Sequence, residues 1–232
     1  MLRQFTKFTR TSAGLEKTLR LIQALCHVAI EVSNDSVSVS KLLLAKSQIA
    51  LSRRYLRFFN FLDCFHRVVD LLGGSGPSSA SASASDGDSQ GFRVLLATLE
   101  IARWSCMGLY LALEDLTLLH AMNVWPVAWT NMVLTEAFKF WFYAISFSLA
   151  GTAVGLLGWF ATGPVPKGEE KEKEAATNPS VAPFVRRLLA DGCDLLIPGL
   201  FLRWIEVSDL VVGITMVVST LISGQEIWSQ VV

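Results

Sequence analysis

Signatures of catalysis are missing from the 232 residues: there is no P-loop, no G-x-S-x-G, no H-E-x-x-H and no dinucleotide fingerprint. Histidine is scarce. His27, His66 and His120 are scattered on helix-like segments, where a structural role is the ordinary one. The four cysteines (Cys26, Cys64, Cys106 and Cys193) show no C-x-x-C and no partner His at metal-ligand spacing. They read as reduced, buried thiols, and neither a metal nor a cofactor is expected. The acids Glu114 and Asp115 point in different directions on a helix and read as a solvated face or a cap. An enzyme is not expected. Charge is sparse too, at 17 % of residues against the ~25 % usual in soluble domains. The 20 basic side chains are balanced by 20 acidic ones, so nothing draws the chain toward nucleic acid. Strand alternation and repeats of fixed period are also absent.

What remains is apolar. Hydrophobic residues make up 52 % of the chain and the mean hydropathy is +0.44, for which lipid contact is the simplest explanation. Two low-complexity stretches divide it. Residues 73–91, rich in Gly, Ser and Ala, read as a flexible linker. Residues 162–183 combine prolines with a mixed-charge run and read as a disordered loop. Ordered regions are therefore expected at 1–72, 92–161 and 184–232. Within them the patterning predicts helices over 14–31, 40–72, 92–120, 126–161, 184–196 and 205–223, with an interruption at Pro198-Gly199. The fold class expected is all-α, amphipathic helices plus one or two transmembrane helices, with no sheet. Residues 1–10 are basic and hydroxyl-rich, as in a mitochondrial presequence, but the amphipathic pattern runs on through Glu16 without a cleavage-like break.

The clearest membrane signal is the uncharged run 140–161. Its 22 residues make about 33 Å of helix, enough for a hydrocarbon core of roughly 30 Å. Trp141, Tyr143 and Trp159 lie near its ends, where amphipathic rings favour the headgroup level. Gly151 and Gly155 form a G-x-x-x-G edge that would let a second helix approach closely. A second stretch at about 207–224 is shorter; a tilted span, a re-entrant segment or a soluble core helix would each fit it.

Residues 42–72 are the most informative. On a helical wheel Lys46, Arg53, Arg57, Asn60 and Arg67 share one sector, while Leu51, Tyr55, Phe58, Leu62 and Phe65 fall opposite. Such a helix lies flat in the interface of an anionic membrane, with its basic face on the headgroups and its apolar face inserted as a wedge. Docking on the protein's own core is the alternative.

Three segments together resemble the peroxin-11 family. They are Thr11-Ser-Ala-Gly14-Leu-Glu-Lys17-Thr-Leu-Arg20, the basic-aromatic stretch Arg53-Arg54-Tyr-Leu-Arg57-Phe-Phe, and the closing Ser- and Gly-containing apolar segment that runs from Gly213 to Trp228. The resemblance implies an integral peroxisomal membrane protein that elongates and divides the organelle; a mitochondrial membrane is the alternative location. It also implies self-association and recruitment of a fission adaptor and a dynamin-related GTPase, with both chain ends cytosolic. An oligomeric channel for small metabolites, its spans packed at Gly151 and Gly155, is the rival function. On the wheel alone, Arg53→Glu with Arg57→Glu should weaken membrane binding in a salt-sensitive way, which vesicle co-sedimentation would measure.

Overall fold

The fold comes from a computed structural model that describes residues 2–73, 87–162 and 181–231. Most of the two expected linkers, 73–91 and 162–183, lies outside the described residues. Among the described residues all regular structure is helical: α1 (Leu2–Arg10), α2 (Ser12–Val32), α3 (Ser36–Leu56), α4 (Asn60–Leu72), α5 (Gly87–Leu116), α6 (Leu118–Ala121), α7 (Thr130–Thr162), α8 (Ala182–Phe201) and α9 (Asp209–Val231).

Local chemistry sets the early boundaries. Thr11 caps α2: its hydroxyl donates to the Phe8 carbonyl (2.7 Å) and accepts from the Gly14 N–H (3.0 Å). The corner between α1 and α2 is so tight that a Cβ on Gly14 would sit 2.1 Å from the Phe8 oxygen. Asp35 caps α3 by accepting the N–H groups of Val37 and Ser38.

Residues 40–72 are not one helix. The chain turns at Phe59, which takes a left-handed backbone conformation (φ 68°) and donates its N–H to the Asp115 carboxylate at 3.1 Å. A partner 56 residues away thus compensates a conformation that costs any non-glycine residue free energy. The expected break at Pro198 is displaced as well. Pro198 has no N–H to offer the Asp194 carbonyl, yet α8 continues to Phe201 and ends at Arg203 (φ 56°).

Helices α2, α3 and α9 pack together, α5 packs on α4 and α7, and α8 touches both α7 and α9. The main apolar cluster joins Cys64 of α4, Tyr110 and Leu111 of α5, and Ala137 of α7. Tyr110 stacks on Trp141 at 5.1 Å, and Phe138 of α7 stacks on Phe201 of α8 at 4.0 Å. At the far side Phe8 meets Trp228, tying α1 to α9. Of the cysteines only Cys64 is fully buried; Cys26, Cys106 and Cys193 are half-buried, and all four are free thiols.

Two connections are built alike although their residues differ. After α6, the N–H groups of Met122, Asn123, Val124 and Trp125 bond to the carbonyls of Leu118, His120, Leu119 and Leu119. After α8, those of Leu202, Arg203, Trp204 and Ile205 bond to Pro198, Leu200, Gly199 and Gly199. Each turn pivots on one left-handed residue, Asn123 or Arg203, and each presents an exposed tryptophan, Trp125 or Trp204.

Three helices are long and apolar enough to cross a membrane: Gly91–Leu116, Thr130–Phe160 and Asp209–Gln230. The sequence pointed to one or two. The span within α5 is obscured in the sequence by Glu100 and Arg103, which pair with each other at 3.1 Å within one helical turn.

The Gly14 corner makes a simple prediction. Gly14→Ala should destabilise the protein by about 1–3 kcal/mol through overpacking. Gly224→Ala, at a helix position with nothing within 4 Å, should be neutral or slightly stabilising. Chemical unfolding of the two variants in detergent micelles measures the difference.

Candidate functional site

Among the described residues two charged side chains are buried while many large apolar ones lie outside. Arg20 and Glu114 are each only 7 % exposed, and Ser148, Thr152, Ser219 and Thr220 are buried. Met132 is 72 % exposed and Trp125 68 %, with Leu157, Phe160, Ile214 and Leu221 also on the outside. In α7 only 22 % of the most apolar window is covered by the rest of the chain. Buried charge and exposed bulk apolar surface are the informative exceptions to ordinary burial, and here they occur together.

The predicted basic face turns inward. Arg53 donates to Glu16 from Nε (2.9 Å) and from its terminal nitrogen (2.6 Å), and to Gln23 at 2.6 Å. Arg57 reaches both oxygens of Glu114, and Arg54 reaches one of them at 3.1 Å. Lys46 is half-buried beside the same interior, and Arg67 stays exposed on α4, apart from the others. Arg53 and Arg57 therefore do not form an outward headgroup-binding strip with Arg67. Their guanidinium groups bind the carboxylates of α2 and α5, and the turn at Phe59 breaks the common register of the wheel.

The predicted apolar face divides. Phe58 is 40 % and Leu62 56 % exposed, and Tyr55 is exposed with them. Phe59, which the wheel did not select, joins this outer surface. Leu51 is half-buried. Phe65 packs inward, its ring 3.0 Å from where a Cβ on Gly108 would lie. On α7, Gly151 and Gly155 face partners within the same chain: Leu99 of α5 at 3.8 Å and Phe184 of α8 at 3.3 Å from the missing Cβ positions.

Further pairs close the interior. Arg20 of α2 binds Asp194 of α8 and donates to the Ser219 hydroxyl of α9 at 3.2 Å, linking three helices through one guanidinium. Arg187 of α8 donates to Ser148 of α7 at 3.2 Å and stands 3.7 Å from Glu100 of α5. Glu114, expected on a solvated face or cap, is instead buried between Arg54 and Arg57. Asp115 does serve a backbone N–H, that of Phe59. The histidines have local roles: His120 accepts the Val127 N–H at its Nδ1 (3.0 Å), and His66 lies 3.7 Å from Asp70. Among the described residues no group of three His, Cys, Asp or Glu side chains is arranged to hold a metal ion. Burial opposes the charged form of Glu16, but Arg53 and Lys17 outweigh it and hold the carboxyl below its ordinary value of 4.5.

Helices that turn apolar side chains outward and pair their charges within define a protein made for a lipid surround. The chain belongs to the Peroxisomal biogenesis factor 11 (PEX11) family, whose model matches residues 2–228. Membership assigns it to the peroxisomal membrane and to peroxisome biogenesis and proliferation; a mitochondrial location has no support from it. No curated protein and no solved structure matches the chain.

The pairing of Glu16 with Arg53 yields two linked predictions. Arg53→Met should cost about 3–5 kcal/mol because it strands a buried carboxylate, and adding Glu16→Leu should recover most of the loss. The carboxyl of Glu16 is depressed in the fold, so its contribution is complete above pH 4.5 and is lost as pH falls through the lower folded value. Unfolding midpoints against pH should show this loss in the wild type and not in the double variant.

Proposed function

We propose that the chain elongates peroxisomal membrane and promotes fission by seating the elbow between α3 and α4 in one leaflet. The observation that carries this reading is the placement of Tyr55, Phe58, Phe59 and Leu62 on the outside of that elbow while Arg53, Arg54 and Arg57 are tied down beneath it. An apolar wedge with rigid backing expands the leaflet it enters and favours curved membrane. Burial of each such side chain in lipid is worth about 1.5–3 kcal/mol, so four suffice for firm seating. Anionic headgroups would meet Arg67, and the salt dependence of binding would be mild because Lys46 lines the interior and the other arginines are engaged internally.

Fission itself would be completed by others: a fission adaptor and a dynamin-related GTPase recruited to the elongated region, with self-association of this chain concentrating the wedge. A metabolite channel of oligomerised spans packed at Gly151 and Gly155 is less well supported, since those glycines already seat Leu99 and Phe184 of their own chain.

The test uses the full chain in anionic liposomes and in cells. Phe58→Asp with Leu62→Asp should abolish tubulation of vesicles and lengthening of peroxisomes, while the chain remains resistant to carbonate extraction. Undiminished tubulation would remove the elbow from the mechanism. Arg53→Glu with Arg57→Glu should now act mainly by destabilising the fold, detectable as raised protease sensitivity before any vesicle is added.

A further inference from the structure

A cavity of about 960 Å³ lies between the α2–α3–α9 group and the α5–α7 pair, with residues of α8 also lining it. Cavities that hold small ligands run from roughly 300 to 1,000 Å³. Its walls are of two kinds. Lys17, Arg20, Lys46, Arg53, Arg54 and Arg57 contribute six positive charges. Glu16, Asp63, Glu114 and Asp194 answer with four on the wall, and Asp209 and Glu31 act on Lys46 from beside it. The remaining wall is apolar, with Met107, Leu111, Phe138, Phe201 and Met216.

At the other five cations the ion pairs use only three acids, Glu16, Glu114 and Asp194. Glu114 is shared by Arg54 and Arg57, and Glu16 is shared by Arg53 and Lys17. The Nε–H groups of Arg20 and Arg57 are buried without an acceptor. A buried surplus of cations with unused donors is unfavourable, and a bound anion would supply both the missing charge and the missing acceptors. The apolar wall gives that anion's tail somewhere to lie.

We propose that this cavity binds an anionic amphiphile, its phosphate or carboxylate group among Lys17, Arg20, Arg53 and Arg57 and its hydrocarbon along Met107, Phe138 and Phe201. The proposal is independent of the membrane-shaping role of the elbow, because none of these groups belongs to the outer apolar surface. A membrane lipid and a free alkyl phosphate present the same headgroup chemistry, and the experiment separates them.

Full-length protein in nanodiscs of neutral phosphatidylcholine is titrated with dodecyl phosphate, and binding is read by equilibrium dialysis together with the melting temperature. Saturable binding near about one molecule per chain is expected, with a rise in melting temperature that dodecanol does not reproduce. Lys17→Gln, which removes a cation held to Glu16 only at 3.8 Å, should weaken binding about tenfold. Ala50→Trp, at a position lining the cavity, should block it; this variant decides the matter if Lys17→Gln does not fold. Nanodiscs doped with phosphatidic acid then identify the source. Loss of dodecyl phosphate binding there assigns the site to a bilayer lipid, and its persistence assigns it to a soluble anion. Absence of saturable binding in neutral nanodiscs, an equal effect of dodecanol, or wild-type affinity in the folded variants would overturn the proposal.

Discussion

Glu114 lies within an apolar stretch of α5 and holds two guanidinium groups, Arg54 of α3 and Arg57 of the turn that follows, and much of the architecture follows from that arrangement. A carboxylate in such surroundings is tolerable only when paired, so α3 is drawn across the bundle to it. The adjacent Asp115 takes the N–H of Phe59, which fixes the turn between α3 and α4 at that residue. The aromatic side chains that follow the arginines are thereby left on the outside. With Arg53 tied to Glu16 and Arg20 to Asp194, the same logic repeats through α2 and α8, and the charges form an interior web spanning residues far apart in sequence.

Much of the local structure could be read in the sequence. The helical class, the apolar α7 and the break at Trp125-Pro126 all rest on short-range chemistry that one segment displays unaided, whereas the caps at Thr11 and Asp35 start their helices earlier than the expected 14 and 40. What could not be read depends on distant partners. The wheel over 42–72 assumed one continuous helix, and the turn at Phe59 breaks its register; it also said nothing about which side faces solvent, lipid or protein. In a lipid surround the usual assumption that charge points outward is reversed, and Arg53 and Arg57 turn in. A signal was present: Glu114 and Asp194 are acids in otherwise apolar segments, and each is paired with a cation from another segment, Arg54 and Arg57 or Arg20. Counting unpaired acids in apolar helices against unpaired arginines elsewhere would have pointed to the right interior. The similar turns after α6 and α8 escaped notice for another reason. Their likeness is one of backbone hydrogen bonds and a single left-handed residue, and the side chains share no pattern.

The distribution of buried and exposed side chains also separates two tasks that one amphipathic helix was first expected to perform together. The inner ion pairs hold the helices to one another, and the exposed apolar surface is left free to meet a membrane. Because the ion pairs are largely shielded, changes in ionic strength reach them weakly, whereas exposed pairs would be screened within a Debye length of about 8 Å. If the elbow enters a leaflet as proposed, a backing that salt reaches weakly would help insertion deform the leaflet rather than the protein.

The 33 residues of α7 bring a different consequence. They make a rod of about 50 Å, while a hydrocarbon layer is only roughly 30 Å deep. The rod's uncharged part, residues 140–161, makes about 33 Å and matches that depth, so the first turns, which carry Glu136 and Lys139, would lie beyond the oil. The Glu136–Lys139 pair would then mark the depth at which this helix sits.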